Sequence, residues 1–142
     1  MTDTAICQER SDEAQQILAL WREADAAPSP TDTRDEVKKL LGEPAAVLLV
    51  AEADGRLVGT VIGGWDGWRG NIYRLAVLPA YRRRGIARAL VGEAERRLRS
   101  MGARRISALV ESDHPWATDF WASLGASGYR HDERMRRYVK TL

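Results

Sequence analysis

Leu75, Ala76 and Val77 close an apolar strand, Arg82, Arg83, Arg84 and Gly85 form a short basic turn, and Ile86, Leu90, Ala94 and Leu98 then fall at helical spacing. This order makes an anion cradle. The first backbone N–H groups of a helix have no intrahelical partner, and the helix dipole adds partial positive charge there. Gly85 presents no side chain against an approaching ligand, while Arg82, Arg83, Arg84 and Arg88 bring charge and forked donors. A diphosphate suits such a site better than a single carboxylate.

The pattern Arg82-x-x-Gly85-x-Ala87 resembles the pyrophosphate loop of the GNAT superfamily of N-acetyltransferases, which binds acetyl-CoA. A second segment, Val110-x-x-x-His114-x-x-Ala117-x-x-Phe120-Trp121-x-x-Leu124-Gly125, is similar to the family's other cofactor-side motif. The resemblance implies that Arg82, Arg83, Arg84, Gly85, Ile86, Ala87 and Arg88 hold the diphosphate, and that His114, Ala117 and Trp121 lie beside the cofactor. It also implies that the strand before the cradle splays from the strand after the helix, often at a bulge. The backbone of Leu75, Ala76 and Val77 is then open to the amide-rich pantetheine arm.

The chemistry so implied is direct transfer of an acetyl group from acetyl-CoA to a primary amine of a small molecule or a peptide, with no metal. An ammonium must lose a proton before it attacks, and the oxyanion needs a donor, for which the N–H of Leu75 or a neighbour is placed. Where many members carry a tyrosine as acid toward sulfur, this chain has Trp121, whose indole N–H is a donor but not a usable acid. Either Trp121 packs against the cofactor, or another group such as Tyr73, Tyr129 or Tyr138 serves, or the thiolate leaves unaided. Asn71 and Leu109 stand at the positions that often hold a glutamate. Glu111, Asp113 and Asp66 are the carboxylates that could end a water chain, or they are solvated loop residues. His114 is a structural hydrogen bonder or a group beside the pantetheine arm.

The stretch from Gly63 to Gly70 carries four glycines together with Trp65, Asp66, Trp68 and Arg69. As an acceptor pocket, Asp66 would attract a cationic amine and Trp65, Trp68 and Tyr73 would wall it, with a cation–π contact. As plain structure, the tryptophans cap the sheet.

These residues need a framework. Thr4 to Gln8 is a strand candidate, with Cys7 as a small core residue on it. Ser11 is placed to cap a helix whose stripe is Ala14, Ile17, Leu18 and Trp21. Thr33 and Glu36 have capping-box spacing before Val37, Leu40 and Leu41, and Gly42 with Pro44 stops that helix. Val47 to Ala51 and Leu57 to Ile62 read as strands joined by an Asp54-Gly55 turn. A third strand spans Asn71 to Leu78, a long helix 86–101, a strand Ile106 to Val110, and a short helix Pro115 to Leu124. Two last strands are expected at Ala126 to His131 and Met135 to Lys140. This is the GNAT order throughout. The expected fold is therefore α/β (α+β), a single domain over 1–142. Its mixed, mostly antiparallel sheet has about six or seven strands, splayed at the cofactor site and flanked by about four helices.

Composition bounds the alternatives. The 142 residues, 44% of them hydrophobic, suffice for one core. No apolar run approaches a bilayer span, the N-terminus has no basic and apolar leader, and one cysteine forms no internal disulfide, so a cytoplasmic protein without membrane partner is expected. Residues 1–70 hold 7 Lys and Arg against 13 Asp and Glu, and residues 71–142 hold 15 against 7. A basic half can signal nucleic acid, but Arg96, Arg97, Arg99, Arg104 and Arg105 fall on the polar side of a helix and its exit, as on a solvated face. The reading is thus an amine acetyltransferase without nucleic-acid partner, and the alternative is a CoA-binding protein with weak or lost catalysis. A homodimer through the last strands or a sheet edge is compatible with either.

Overall fold

The computed structural model describes residues 5–8 and 13–142, which form two compact units that divide after Leu109. Ser11 and Asp12, the expected helix start, lie outside the described residues, as does Thr4. In the first unit a single sheet runs in the order β1 (Ala5–Gln8), β2 (Ala46–Ala53), β3 (Arg56–Trp65), β4 (Gly70–Val77), β5 (Ile106–Ala108). The first three pairings are antiparallel and β4 with β5 is parallel. The helices of this unit are α1 (Ala14–Glu23), α2 (Arg34–Leu41) and α3 (Ile86–Met101).

The stripe Ala14, Ile17, Leu18 and Trp21 is buried as its spacing requires, and it packs with Val37 of α2 and with Leu48, Val50, Ile62 and Ala76 of the sheet. Thr33 caps α2, its side chain accepting the N–H of Glu36 at 3.2 Å. Successive residues of a strand point to opposite faces, so Gly63, next to Ile62, belongs to the other side. There α3 lies down, with Leu98 against Gly63 and Gly70 and Leu90 against Gly59. A Cβ would stand 3.1 Å from Leu98 Cδ1 at Gly70 and 3.1 Å from Leu90 Cδ1 at Gly59, so these strand glycines serve close helix approach.

The turn between β2 and β3 is the expected two-residue one, with Asp54 at φ 53° and Gly55 at φ 74°. Between β3 and β4 only residues 66–69 form the loop. Gly63, Gly64, Trp65 and Gly70 lie within strands instead, since sheet pairing continues to Trp65 opposite Gly70.

The second unit carries α4 (Pro115–Ala122) and a 3-10 turn at Gly125–Ser127. Its aromatic side chains form a chain: Trp116 stacks on Phe120 at 5.9 Å, Phe120 meets Trp121 edge-on at 5.6 Å, and Trp121 meets Tyr129 at 5.2 Å.

The sheet has five strands among the described residues, not six or seven. The segments 126–131 and 135–140 are irregular, and β5 stops at Ala108. A half-buried strand needs one apolar face, but alternation from Met135 places Arg137 on the same side as Met135 and Val139. Asp132 also folds back, its carboxylate accepting the N–H and guanidinium of Arg134.

Candidate active site

The strand β4 is the axis of the site. Its N-terminal half pairs with β5 through Gly70, Asn71 and Ile72, and the last ladder bond is from Leu109 N–H to the Ile72 carbonyl at 2.9 Å. From Tyr73 to Val77 no strand among the described residues pairs with it on that side, which leaves that flank of the ladder open.

A bulge falls at the start of this open flank. Ile62 faces Tyr73 and Thr60 faces Ala76, so Arg74 and Leu75 together oppose Val61. Arg74 adopts φ 54°, a conformation that costs an arginine about 1 kcal/mol or more and persists only where its surroundings enforce it. The enforcing groups are visible. The Arg74 guanidinium donates to both carboxylate oxygens of Asp32, at 2.7 and 2.9 Å, and to the Ala27 carbonyl at 3.0 Å, and lies 4.9 Å from the Trp21 ring centroid. Trp21 Nε1–H donates to Thr60 Oγ1 at 2.9 Å, and the Thr60 hydroxyl donates to the Arg74 carbonyl at 3.1 Å. Thr60 is fully buried, so this polar chain is sheltered from competing water. Side chain and backbone of Arg74 are thus tied to α1, to the segment after it, and to β3.

Sequence reasoning missed this cluster because its members lie far apart in the chain. The legible signals were a threonine inside the apolar run of β3 and an arginine breaking the alternation of β4.

Beyond Val77 the chain makes a 3-10 turn at Pro79–Tyr81 and enters α3 at Gly85, which has φ 84°. Arg83 is also left-handed, at φ 62°, and such residues turn backbone N–H groups inward in anion-binding concavities. The first helical bond is Ala89 N–H to Gly85 carbonyl, and no side chain caps the helix, so the N–H groups of Ile86, Ala87 and Arg88 face outward as donors. No described residue lies within 4 Å of where a Gly85 Cβ would sit.

The arginines divide their work. Arg83, Arg84 and Arg88 are exposed, with Arg84 resting 4.9 Å over the Tyr81 ring. Arg82 turns inward, its Nε donating to the Val77 carbonyl at 2.9 Å and its Nη2 to the Ala24 carbonyl at 3.2 Å. Burial draws its pKa down, against the opposing attraction of Asp25. Arg82 therefore shapes the cradle by joining the end of β4 to the end of α1.

Of the other expected residues, Tyr73 is half-buried immediately before the bulge, and burial raises its phenol above the usual tyrosine range, so the proton is held at neutral pH. Trp65, Asp66 and Trp68 are not brought to the cradle. They precede β4 while the cradle follows it, and eight extended residues separate the two by roughly 25 Å. Asp66 instead holds its own turn together. Its Oδ1 accepts the N–H groups of Trp68 and Arg69 at 2.8 and 2.7 Å, and the bonds from Arg69 and Trp68 hold its pKa below the usual carboxylate range. In the second unit, His114 caps α4, with Nδ1 accepting from Ala117 N–H at 3.4 Å, and its backbone N–H donates to the Glu111 carbonyl. Trp121 and Ala117 are partly buried on α4. Among the described residues no cluster of three or more His, Cys, Asp or Glu is arranged to hold a metal, and no helix is long and apolar enough to cross a membrane.

A mixed sheet with one parallel pair, a bulged strand opening away from it, and a glycine turn into a long helix together define the GNAT fold. Residues 14–126 match the Acetyltransferase (GNAT) family, and the chain belongs to that family. Among solved structures it is similar to the aminoglycoside N-acetyltransferase AAC(6')-Iy in complex with CoA, at 20% identity and TM-score 0.77 over 100% of this chain and 97% of that one. It is likewise similar to the aminoglycoside 6'-N-acetyltransferase AAC(6')-Ih of Acinetobacter baumannii, at 19% identity and TM-score 0.77 over 99% of both chains. The PaiA N-acetyltransferase of Thermoplasma acidophilum, in complex with coenzyme A, aligns at 14% identity and TM-score 0.72 over 85% of this chain and 88% of that one. At such identities the likeness carries the fold.

Proposed function

We propose that this protein transfers an acetyl group from acetyl-CoA to a primary amine. The observation that carries the reading is the continuity of the open flank of β4 with the uncapped N-terminus of α3. The residues present suit a CoA diphosphate: three outward N–H groups, an empty space above Gly85, and three exposed arginines around them. Ile86, Ala87 and Arg88 would hold the diphosphate through their backbone, with Arg83, Arg84 and the Arg88 side chain adding charge. Leu75, Ala76 and Val77 would pair with the amide arm. Bound acetyl-CoA supplies a thioester whose carbonyl is open to attack by an unprotonated amine.

The protein's own part is chiefly placement. The bulge turns the backbone at Leu75 out of the regular ladder, where its N–H can serve as oxyanion donor. Tyr73, protonated and next to the bulge, would be available as a hydrogen-bond donor to the leaving sulfur. Asn71 and Leu109 cannot accept a proton, so the amine loses its proton to water and the rate rests on orientation.

Titration calorimetry with acetyl-CoA, CoA and dephospho-CoA, followed by a thiol-release assay over a panel of amines including aminoglycosides and peptide N-termini, tests the reading. Saturable binding with turnover of an amine supports it, and absence of CoA binding by folded protein overturns it. A second reading, a CoA-binding protein without turnover, draws on the non-ionisable residues at 71 and 109. Tight CoA binding with no thiol release across the panel would select it.

A further inference from the structure

The end of β3 and the exit of α3 border an open surface cavity of about 360 Å3 lined by Trp65, Trp68, Arg69, Arg104 and Arg105 with two glycines. Its charge is the reverse of what an amine pocket needs. The one carboxylate in the loop, Asp66, has its Oδ1 turned into the turn by two backbone N–H groups. Two of the last four carbonyls of α3 are taken up as well, Gly102 N–H donating to Arg99 and Ala103 N–H to Leu98 at 3.1 and 3.0 Å. What lines the cavity is guanidinium and indole. On the same helix Arg97 is neutralised by Glu93 at 3.0 Å, whereas Arg69, Arg104 and Arg105 make no salt bridge among the described residues.

The aromatic surface is only partly covered. Trp68 is 70% exposed, an unfavourable place for an indole in a loop, and Arg69 stacks on it at 4.0 Å. Trp65 leans over Gly102, where a Cβ would come within 3.4 Å of its ring. One half-buried and one exposed indole, set among three forked donors, suit a ligand that is planar at one end and anionic at the other.

We propose that this cavity is a binding site for a nucleoside monophosphate unit, the base lying against Trp68 and Trp65 and the phosphate meeting Arg104, Arg105 and Arg69. Stacking on indole tolerates any base, and the guanidinium forks fit phosphate oxygens. The unit can come as a free nucleotide or as part of a single strand. The site is separate from the cradle and does not depend on the transferase reading.

The test is a titration of 15N-labelled protein followed through its indole N–H signals, with those of Trp65 and Trp68 assigned by Trp→Phe variants. Adenosine 5'-monophosphate should shift both signals saturably, and ribose 5-phosphate should bind at least about tenfold more weakly for want of the base. The Arg104→Glu, Arg105→Glu double variant should lose at least about tenfold in affinity while the rest of the spectrum stays unchanged, since both side chains are exposed. A short oligoadenylate that binds more tightly, with steep salt dependence, identifies a single strand as the source, and equal affinity identifies the free nucleotide. No shift at Trp65 and Trp68, equal binding of ribose 5-phosphate, or an unaffected double variant overturns the proposal. Shifts confined to the Gly85 region mark binding at the cradle alone and overturn it equally.

Discussion

Arg74 grips both oxygens of Asp32, at 2.7 and 2.9 Å, while its own backbone sits in the left-handed region at φ 54°. The ion pair is largely sheltered, with side-chain exposures of 15% and 22%, so it balances the backbone strain and fixes the bulge that opens β4.

Arg74→Ala is expected to lower stability by about 2 kcal/mol, because it removes the cation paired with Asp32 and a donor to the Ala27 carbonyl. Urea unfolding measures this. Under the proposed function kcat should fall more than KM for acetyl-CoA rises, since the cradle is intact and only the oxyanion donor is misplaced. Arg74→Lys should restore less than half of the loss, since one ammonium cannot reach both Asp32 and the Ala27 carbonyl as the two guanidinium nitrogens do. Equal stability and kcat in the alanine variant would sink this account of the bulge.

At Gly85, strain and obstruction can be separated. A valine there must adopt φ 84° and fills space that the protein leaves empty, whereas asparagine tolerates that conformation. Gly85→Val should abolish CoA binding by calorimetry. Gly85→Asn should stay within about 1 kcal/mol of the parent in unfolding free energy, yet still bind CoA at least about tenfold more weakly. Parental affinity in both variants would remove the diphosphate from this turn.

Neighbouring arginines should behave differently. Removing the Arg82 side chain breaks ties to Val77 and Ala24, so Arg82→Ala is expected to lose about 1 to 2 kcal/mol in stability along with CoA affinity. Arg84→Ala gives up an exposed charge and should change affinity modestly at low salt, with an unchanged melting temperature. A melting temperature lowered equally by both substitutions would contradict this division.

The turn at Asp66 carries a pH dependence of known sign. Hydrogen bonds from Arg69 and Trp68 lower the folded-state pKa, so the turn's contribution is complete above the ordinary aspartate pKa and is lost as pH falls through the lower, folded value. Carboxyl 13C titration should place the Asp66 midpoint below that of an unstructured aspartate, with the Trp68 and Arg69 amide signals moving in step. A midpoint at or above the ordinary value would mean that the turn does not hold its carboxylate in solution.

Much of this was legible in the chain. The stripe of α1, the Thr33 cap, the Asp54-Gly55 turn and the passage from Val77 through Gly85 into α3 are local patterns, each set by neighbours within a few residues. The glycines at 59, 63 and 70 were not, because their reason is Leu90 and Leu98 on a helix that follows them in sequence. The tie from Trp21 through Thr60 to Arg74 and Asp32 was hidden for the same cause. Gly63 to Gly70 read as one hairpin loop, when Gly63, Gly64 and Gly70 belong to strands. The tail reads as strands on its apolar content alone, although those residues do not share one uninterrupted face.

The floor of glycines beneath α3 has a mechanical consequence. With 16 residues the helix is about 24 Å long, and it rests on Gly70 near one end and on Gly59 near the other. A single methyl added at Gly70 would act as a wedge under Leu98, with the contact at Gly59 as pivot. Because Gly59 meets Ile86 as well as Leu90, the pivot lies in the first turn of the helix, so the wedge would lift the C-terminal end and leave the start of α3 seated. The height of that starting tip above the sheet is thus set on the spot, by the missing side chain at Gly59.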